Sequence, residues 1–342
     1  MYMKRVLLVF MATVVLLSMS VAASDRISFY EYNNYNIMEP KNDTTVLVWS
    51  EEFPDAYVIT EYYGRDDIFI DKSCQTVFSK ESQENLVRLD EIDVEDVTNI
   101  VAVVRATVFY EEKYITTYTD GDSRREVVRS RLLSKDEVRT IGIENFEEIC
   151  GPLFDISDDD DNSRGKLSIT YVVTRLNIPG SEGSYDLMAR ANWSGTNILP
   201  ALNGENSPAV GDDFICLTWG GEFDCYDYFA HADNDVMDET DIYLADATPN
   251  EGMAWSYLEL QYYQGIGYAY VPEAYANVKI FKNRLTGGGN TTSTVFRYIH
   301  TYGEHSSNVS ISVGAGSASG SYSLSGVQKQ WSLVCTVSSI PY

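Results

Sequence analysis

Basic residues are scarce in this 342-residue chain, where 25 Lys and Arg stand against 51 Asp and Glu for a formal charge of −26. A surface of that sign repels phosphate backbones, which excludes nucleic acid as a natural partner. The deficit is deepest between Arg190 and Lys279, an interval that holds no Lys or Arg but 15 acids. Histidine is scarcer still: His231, His300 and His305 are the only three. No His-Glu-x-x-His occurs, and His300 and His305, five apart on one strand, would point to opposite faces. The segment "GSASG" does not place a serine where a nucleophile elbow needs it. Zinc hydrolysis and a His-based triad therefore find no motif. Beyond the N-terminus there is no apolar run near the roughly 20 residues that a spanning helix requires.

What is present begins with an export signature. Lys4 and Arg5 precede the apolar stretch Val6 to Leu17, and Ser-Val-Ala-Ala follows with small residues at the positions a signal peptidase reads. Residues 1–23 are expected to be a signal peptide, leaving a secreted chain with no membrane segment after cleavage. The remaining length exceeds what one core usually serves, so two domains are expected. The break falls at the acidic run "DISDDDDNSRG", Asp155 to Gly165. It is read as a linker (155–165) between an α+β N-terminal domain (24–154) and an antiparallel β-sandwich-like domain (166–342), a mainly β protein in all.

The helix signal lies in the first part. In "SKDEVRTIGIENFEEI", Ser134 with Glu137 three positions on forms a capping box, and Val138 and Ile141 could face a sheet. Before it, "VFYEEKYITTY" and "RREVVRSRLL" flank Asp120-Gly121 as a long hairpin. After the acidic run, strands dominate: "KLSITYVVTRLNI", "SYDLMARANW", "AWSYLELQYY", "ANVKIFKNRL" and "STVFRYIHTY", separated by Gly, Pro and Asn. Alternation of Val309, Ile311 and Val313 turns the Gly/Ser-rich "NVSISVGAGSASGSYSLSG" into a small-residue hairpin rather than a linker. "DFICLTWGGEFDCYDYF" reads as a tight hairpin turning at Gly220-Gly221.

The segments "ARANW", "RYIHTYG" and "KQWSL", preceded by "RSRLLSKDEVRTIGIENF", resemble the β-rich region of secreted proteins of Gram-positive bacteria that have no assigned activity. The resemblance implies export and a β-rich C-terminal half, and carries no catalytic residue with it.

Three constellations remain. The acidic run fails as an EF-hand: with Asp158, Asp160 and Asn162 as ligands, Ser163 stands where the turn glycine belongs and Ile169 where the closing Glu belongs. A better calcium candidate is "HADNDVMDETD", where Asp233, Asp235, Asp238 and Asp241 could hold a cation weakly; a solvated loop is the competing reading. Apart from that calcium, no cofactor is expected. The same interval carries 15 aromatics. Trp193, Trp219, Tyr226, Tyr228, Trp255 and Tyr257 are candidates for a ligand face, since rings stack on sugars while acids accept hydroxyl hydrogen bonds; strand core is the competing reading. Finally, a two-residue turn at Gly220-Gly221 places Cys216 opposite Cys225 in a non-hydrogen-bonded pair, close enough for a disulfide. The leading expectation is a secreted, non-enzymatic binding or surface-interaction protein, calcium-stabilised, with a carbohydrate or cell-surface ligand. The alternative is a secreted carbohydrate-active enzyme of glycoside hydrolase type, using two carboxylates.

Overall fold

In a computed structural model of the chain, the structure describes residues 44–50, 56–71, 76–80, 85–88, 97–119, 122–142, 162–178, 181–194, 212–233, 242–258, 260–263, 267–282, 291–302, 310–314, 321–325 and 329–341. They are mainly β and the strands pair antiparallel. One six-stranded sheet runs in the order β1 (Thr44–Ser50), β20 (Lys329–Pro341), β17 (Thr291–Tyr302), β10 (Asp212–Trp219), β13 (Gly252–Leu258), β12 (Ile242–Thr248). A seven-stranded sheet runs β11 (Phe223–Asp233), β16 (Glu273–Lys282), β9 (Ser181–Ser194), β8 (Asn162–Ile178), β6 (Val97–Thr119), β2 (Val58–Gly64). The long β6 also pairs with β7 (Asp122–Leu132).

Alternation along the strands creates the core. On β6, Ala102, Val104, Ala106, Val108 and Tyr110 point one way; Leu167, Ile169, Tyr171 and Val173 of β8 and Tyr185, Leu187, Ala189, Ala191 and Trp193 of β9 follow suit. They meet Ile215, Leu217 and Trp219 of β10, Phe296 and Tyr298 of β17, and Trp331, Leu333 and Cys335 of β20 in one buried cluster. Two sheets each apolar on one face have this as their stable solution.

The outer face of the seven-stranded sheet is also apolar in two places, and each has its own cover. A small sheet of β3 (Ile68–Asp71), β4 (Thr76–Ser79) and β5 (Asn85–Arg88) brings Ile68 and Leu86 over Val103, Val172 and Met188. The helix α1 (Lys135–Ile141) lays Val138 on Phe109, with Leu133. Its capping box forms as the sequence predicts: Ser134 Oγ accepts from Glu137 N–H, and Glu137 accepts from Ser134 N–H at 2.9 Å. Gly142, at φ 88°, ends the helix with its N–H on Val138. With one short helix among the described residues, packed as a cover on the shared sheet, a separate α+β N-terminal domain is not established. Residues 143–150, including the remainder of the expected helix, lie outside the described residues.

The expected β6–β7 hairpin has Thr119 opposite Asp122, and Asp120 and Gly121 lie outside the described residues. The Gly/Ser-rich segment pairs as β18 (Ser310–Gly314) with β19 (Ser321–Ser325), lying beside β12 and β13. A further hairpin joins β14 (Leu260–Tyr263) to β15 (Gly267–Tyr270).

Two expectations meet a different arrangement. Strands from both sides of the acidic run share one sheet. β6 pairs with β8 from Val97↔Leu176 to Lys113↔Asn162, and Asn162 to Gly165 are the first residues of β8 rather than linker. Residues 155–161 lie outside the described residues. The β10–β11 hairpin does not form: β10 pairs with β13 and β17, β11 pairs with β16, and the two strands belong to different sheets. A tight hairpin turn of the I′ type needs positive φ at both central residues, and neither Gly220 nor Gly221 has it. Instead Phe223 N–H bonds to Gly220 C=O, and the chain crosses from one sheet to the other. A Cβ at Gly220 would meet the side-chain oxygens of Thr292 on β17 and of Glu222, which would have to give way.

Candidate functional site

Two places bring chemistry together, one inside the molecule and one at its edge. The inner one arises because three polar residues occupy positions that alternation reserves for the core. Glu112 continues the inward row of β6 after Tyr110, Asp213 precedes Ile215 on β10, and His300 follows Tyr298 on β17. All three are buried. His300 Nε2 lies 3.1 Å from Glu112 Oε1, and its Nδ1 lies 3.1 Å from Asp213 Oδ1. Asp213 also accepts from Thr301 N–H at 3.1 Å and from the Tyr298 hydroxyl. Since the one hydroxyl proton of Tyr298 goes to Asp213, its lone pairs take Trp193 Nε1–H and Tyr257 O–H, each at 2.7 Å. Trp193 and Trp331 pack on the imidazole with centroids 5.2 and 4.9 Å away, and Tyr302 stacks at 5.9 Å.

Proton counting constrains this cluster. A neutral imidazole has one N–H, yet both of its nitrogens face carboxylate oxygens. One further proton is therefore needed on one of the two axes, between Nε2 and Glu112 or between Nδ1 and Asp213. Without it, two acceptors would face each other in the core at 3.1 Å. The network ties the two sheets together, since Glu112 and Trp193 come from one and Asp213, His300, Tyr298 and Tyr257 from the other. It is a closed arrangement: the paired carboxylates that the fold draws together share one imidazole in the interior rather than facing a substrate.

The second place is the edge where β11 and β12 lie near each other. On β11, Tyr226 (44% exposed), Tyr228 (48%) and Phe229 (49%) stand in solvent, as do Tyr243 (59%) and Leu244 on β12. A β-bulge between Cys225 and Asp227 resets the alternation. Asp227, Phe229 and His231 then share the outer face with Lys279, Asn277 and Tyr275 of β16, while Tyr228 turns inward. Phe229 packs edge-on against Tyr275 and stacks on His231; Tyr226 packs against Phe281. Tyr228 overhangs the other sheet, reaching Trp255 of β13 at 6.3 Å, and Leu244 sits opposite Trp255 in register. The seam between the sheets thus opens on an aromatic floor. Its charges are Asp224 and Asp227, the latter 3.3 Å from Lys279 Nζ. Partial burial, and beyond it Asp186 and Asp227, push the Tyr226 phenol up against the opposing pull of Lys279.

Of the six aromatics that the sequence nominates, the fold divides two from four. Tyr226 and Tyr228 are exposed; Trp193, Trp219, Trp255 and Tyr257 are buried and belong to the core. Tyr243, one of the 15 aromatics of the interval, joins the exposed face with Phe229 and Leu244, and the last two escaped the sequence reading because nothing local marks a strand as an edge. Glu112, Asp213 and His300 were likewise missed, although a charged residue in phase with an apolar row is a readable signal.

Of the calcium candidates, Asp233 accepts from His231 Nε2 at 2.5 Å, and Asp235, Asp238 and Asp241 lie outside the described residues. Among the described residues no cluster of three or more His, Cys, Asp or Glu is arranged to hold a metal. The Cys216–Cys225 disulfide does not form, because the strands carrying the two residues part into separate sheets: both are free thiols, as is Cys335. Cys216 faces Ala254 and Arg297 across its sheet, while Cys225 faces Ile280. Burial pushes the Cys216 thiol up to about 12 and that of Cys225 to about 11, and it raises Cys335 as well. Such thiols are poor nucleophiles. Cys74 and Cys150 lie outside the described residues.

The fold and its two clusters define an antiparallel, mainly β protein of two facing sheets with an aromatic open edge. No protein-family model matches the chain, and no curated protein does. Among solved structures, the N-terminal domain of the Streptococcus gordonii adhesin Sgo0707 aligns with 88% of this chain and 88% of its own at 6% identity, with a TM-score of 0.12. A likeness at that score carries no argument.

Proposed function

We propose that this chain is an exported, non-enzymatic binding protein whose ligand lies against the edge formed by β11 and β12. One observation carries the reading: Tyr226, Tyr228, Phe229 and Tyr243, four large rings on neighbouring edge strands, are held in solvent, whereas most other aromatics among the described residues are buried. Contiguous exposed apolar surface rimmed by polar groups marks interaction sites, and tyrosines supply contact area at low entropic cost. Export rests on the basic, apolar and small-residue succession in residues 1–23. The acidic balance favours neutral or cationic ligands, sugars and cell-surface polymers among them. No observation among the described residues favours the hydrolase reading, since its best carboxylate pair is enclosed.

The test compares the wild-type chain with the variant Tyr226→Ser/Tyr228→Ser/Phe229→Ser/Tyr243→Ser against immobilised neutral oligosaccharides and cationic polypeptides. Binding is expected to fall by about tenfold or more with thermal unfolding little changed, whereas Arg139→Ala on α1 leaves binding intact. A quadruple variant that binds as the wild type does, or a wild type that binds nothing in the panel, overturns the reading.

A further inference from the structure

The edges of the two sheets are not equivalent. On β2, every residue after the buried Val58 is half-buried, and β12 has β18 lying beside it. On β11, four consecutive residues, Tyr226 to Phe229, are exposed. A strand covered on one face alternates, so four in a row means that both faces are open there. Among the described residues β11 pairs with β16 alone, which leaves its far side without a strand. Past the bulge the pairing is regular from Asp227↔Lys279 to Asp233↔Glu273, so the ladder on that stretch is unbroken.

Edge strands of this kind invite pairing with another chain, and proteins guard them with proline, charged side chains or bulges. β11 has no proline or lysine; its bulge lies at one end, between Cys225 and Asp227, and its charged guards are Asp224, Asp227 and Asp233. Aspartates repel a second copy of a chain whose net charge is already −26, but they attract a cationic one. Tyr226, Tyr228 and Phe229 add ring faces on which ammonium and guanidinium groups rest favourably.

Building on the binding role of this edge, we infer that the occupant of β11 is an extended cationic polypeptide, added to the sheet as a strand along Asp227–His231. Its backbone would supply the missing hydrogen bonds, and its Lys or Arg side chains would meet Asp224, Asp227 and the rings.

The experiment titrates the full chain with four probes: a short capped peptide alternating Lys and Thr, the same peptide with Glu for Lys, the Lys peptide N-methylated at alternate amides, and cellohexaose. The Lys peptide is expected to bind and to slow amide exchange in Asp227–His231. N-methylation should weaken it by about tenfold or more while leaving the charge unchanged. Asp224→Asn/Asp227→Asn should weaken it too, and the Glu peptide should not bind. Equal binding of the N-methylated peptide overturns strand addition. Cellohexaose binding that is lost in Tyr226→Ser/Tyr228→Ser, with the Lys peptide silent, overturns the cationic strand and leaves the aromatic edge standing. Concentration-dependent dimers lost in Tyr228→Ser/Phe229→Ser overturn it in favour of a second copy. If no probe binds and the exchange of β11 is unaltered, strand addition and the aromatic edge fall together.

Discussion

β10 and β11 are separated by three residues and differ in almost everything that structure decides. Both are rich in aromatic and apolar residues. In β10 every residue from Asp213 to Trp219 is buried, whereas in β11 Tyr226 to Phe229 are exposed. The difference lies in their neighbours. β10 has β13 and β17 on its two sides and the facing sheet beneath it; β11 ends its sheet and overhangs the other. The same kind of ring that fills a core in one strand offers a contact surface in the next. Place in the strand order separates exposed aromatics from packing ones.

The comparison can be broken first at the scale of whole strands. A chain begun at Gly165 keeps β10 and β11 but loses β6, which pairs along β8 and supplies Glu112 to the inner network. It is expected to show no cooperative transition in urea; a sigmoidal unfolding curve would mean that the β-rich half is stable without β6.

At the scale of one residue, His300→Leu removes the group between Glu112 and Asp213. Two buried acids would then lose the imidazole between them, with Asp213 keeping its bonds from Thr301 and Tyr298, and a loss of about 3–5 kcal/mol is expected by chemical denaturation. His300→Leu combined with Glu112→Leu should recover part of it, because the second change removes one of the uncompensated charges. A single variant as stable as the wild type would show that the network contributes nothing.

The sharpest contrast sets Trp219→Ala on β10 beside Tyr228→Ala on β11. The first opens a cavity under a fully enclosed ring and should cost about 3–5 kcal/mol. The second should stay within about 0.5 kcal/mol and be felt in binding. Equal costs would contradict the exposure of β11.

Smallest is the α1 cap and its acid dependence. Ser134→Ala is expected to cost about 1 kcal/mol. Glu137 and Glu111 both titrate below the ordinary Glu value. In each, burial alone would raise it, but hydrogen bonds from Ser134 and Arg131 to Glu137, and from Arg164 and Arg131 to Glu111, prevail. Carboxylates depressed in the folded state stabilise it above their unfolded pKa, and that contribution is lost as the pH falls through the depressed values. Unfolding measured from pH about 5 downward should therefore show declining stability, with a shallower slope in Glu111→Gln.

Local features were readable from residues alone. The capping box at Ser134 and Glu137 is complete within four residues, and the register of the β6–β7 turn needs only Asp120-Gly121 and its flanks. The alternation of Ile311 and Val313 sufficed to pair the Gly/Ser-rich segment as β18 and β19. The Cys216–Cys225 pairing failed on similar local reasoning, because Gly-Gly satisfies both a tight turn and a sheet-to-sheet crossing. What distinguishes them is the choice of partner strands, β13 and β17 for β10 and β16 for β11, all of them distant in sequence. The acidic run misled in the same way: charge density marks solvent exposure, not a break between cores, and Asn162 to Gly165 continue straight into a strand paired with β6.

By itself the sequence determined that the chain is mainly β, acidic, punctuated by turns and supplied with rings and carboxylates in one interval without a base. Period and composition are local properties, and each residue carries its share of them. Which rings face water, which acids share a histidine and which strand is left without a neighbour were decided only when two sheets closed over one another. Those outcomes depend on pairings between residues far apart in the chain, 188 positions in the case of Glu112 and His300. Hydrogen bonding and burial at each such contact are settled by the partner strand, and no stretch of sequence contains its own partner.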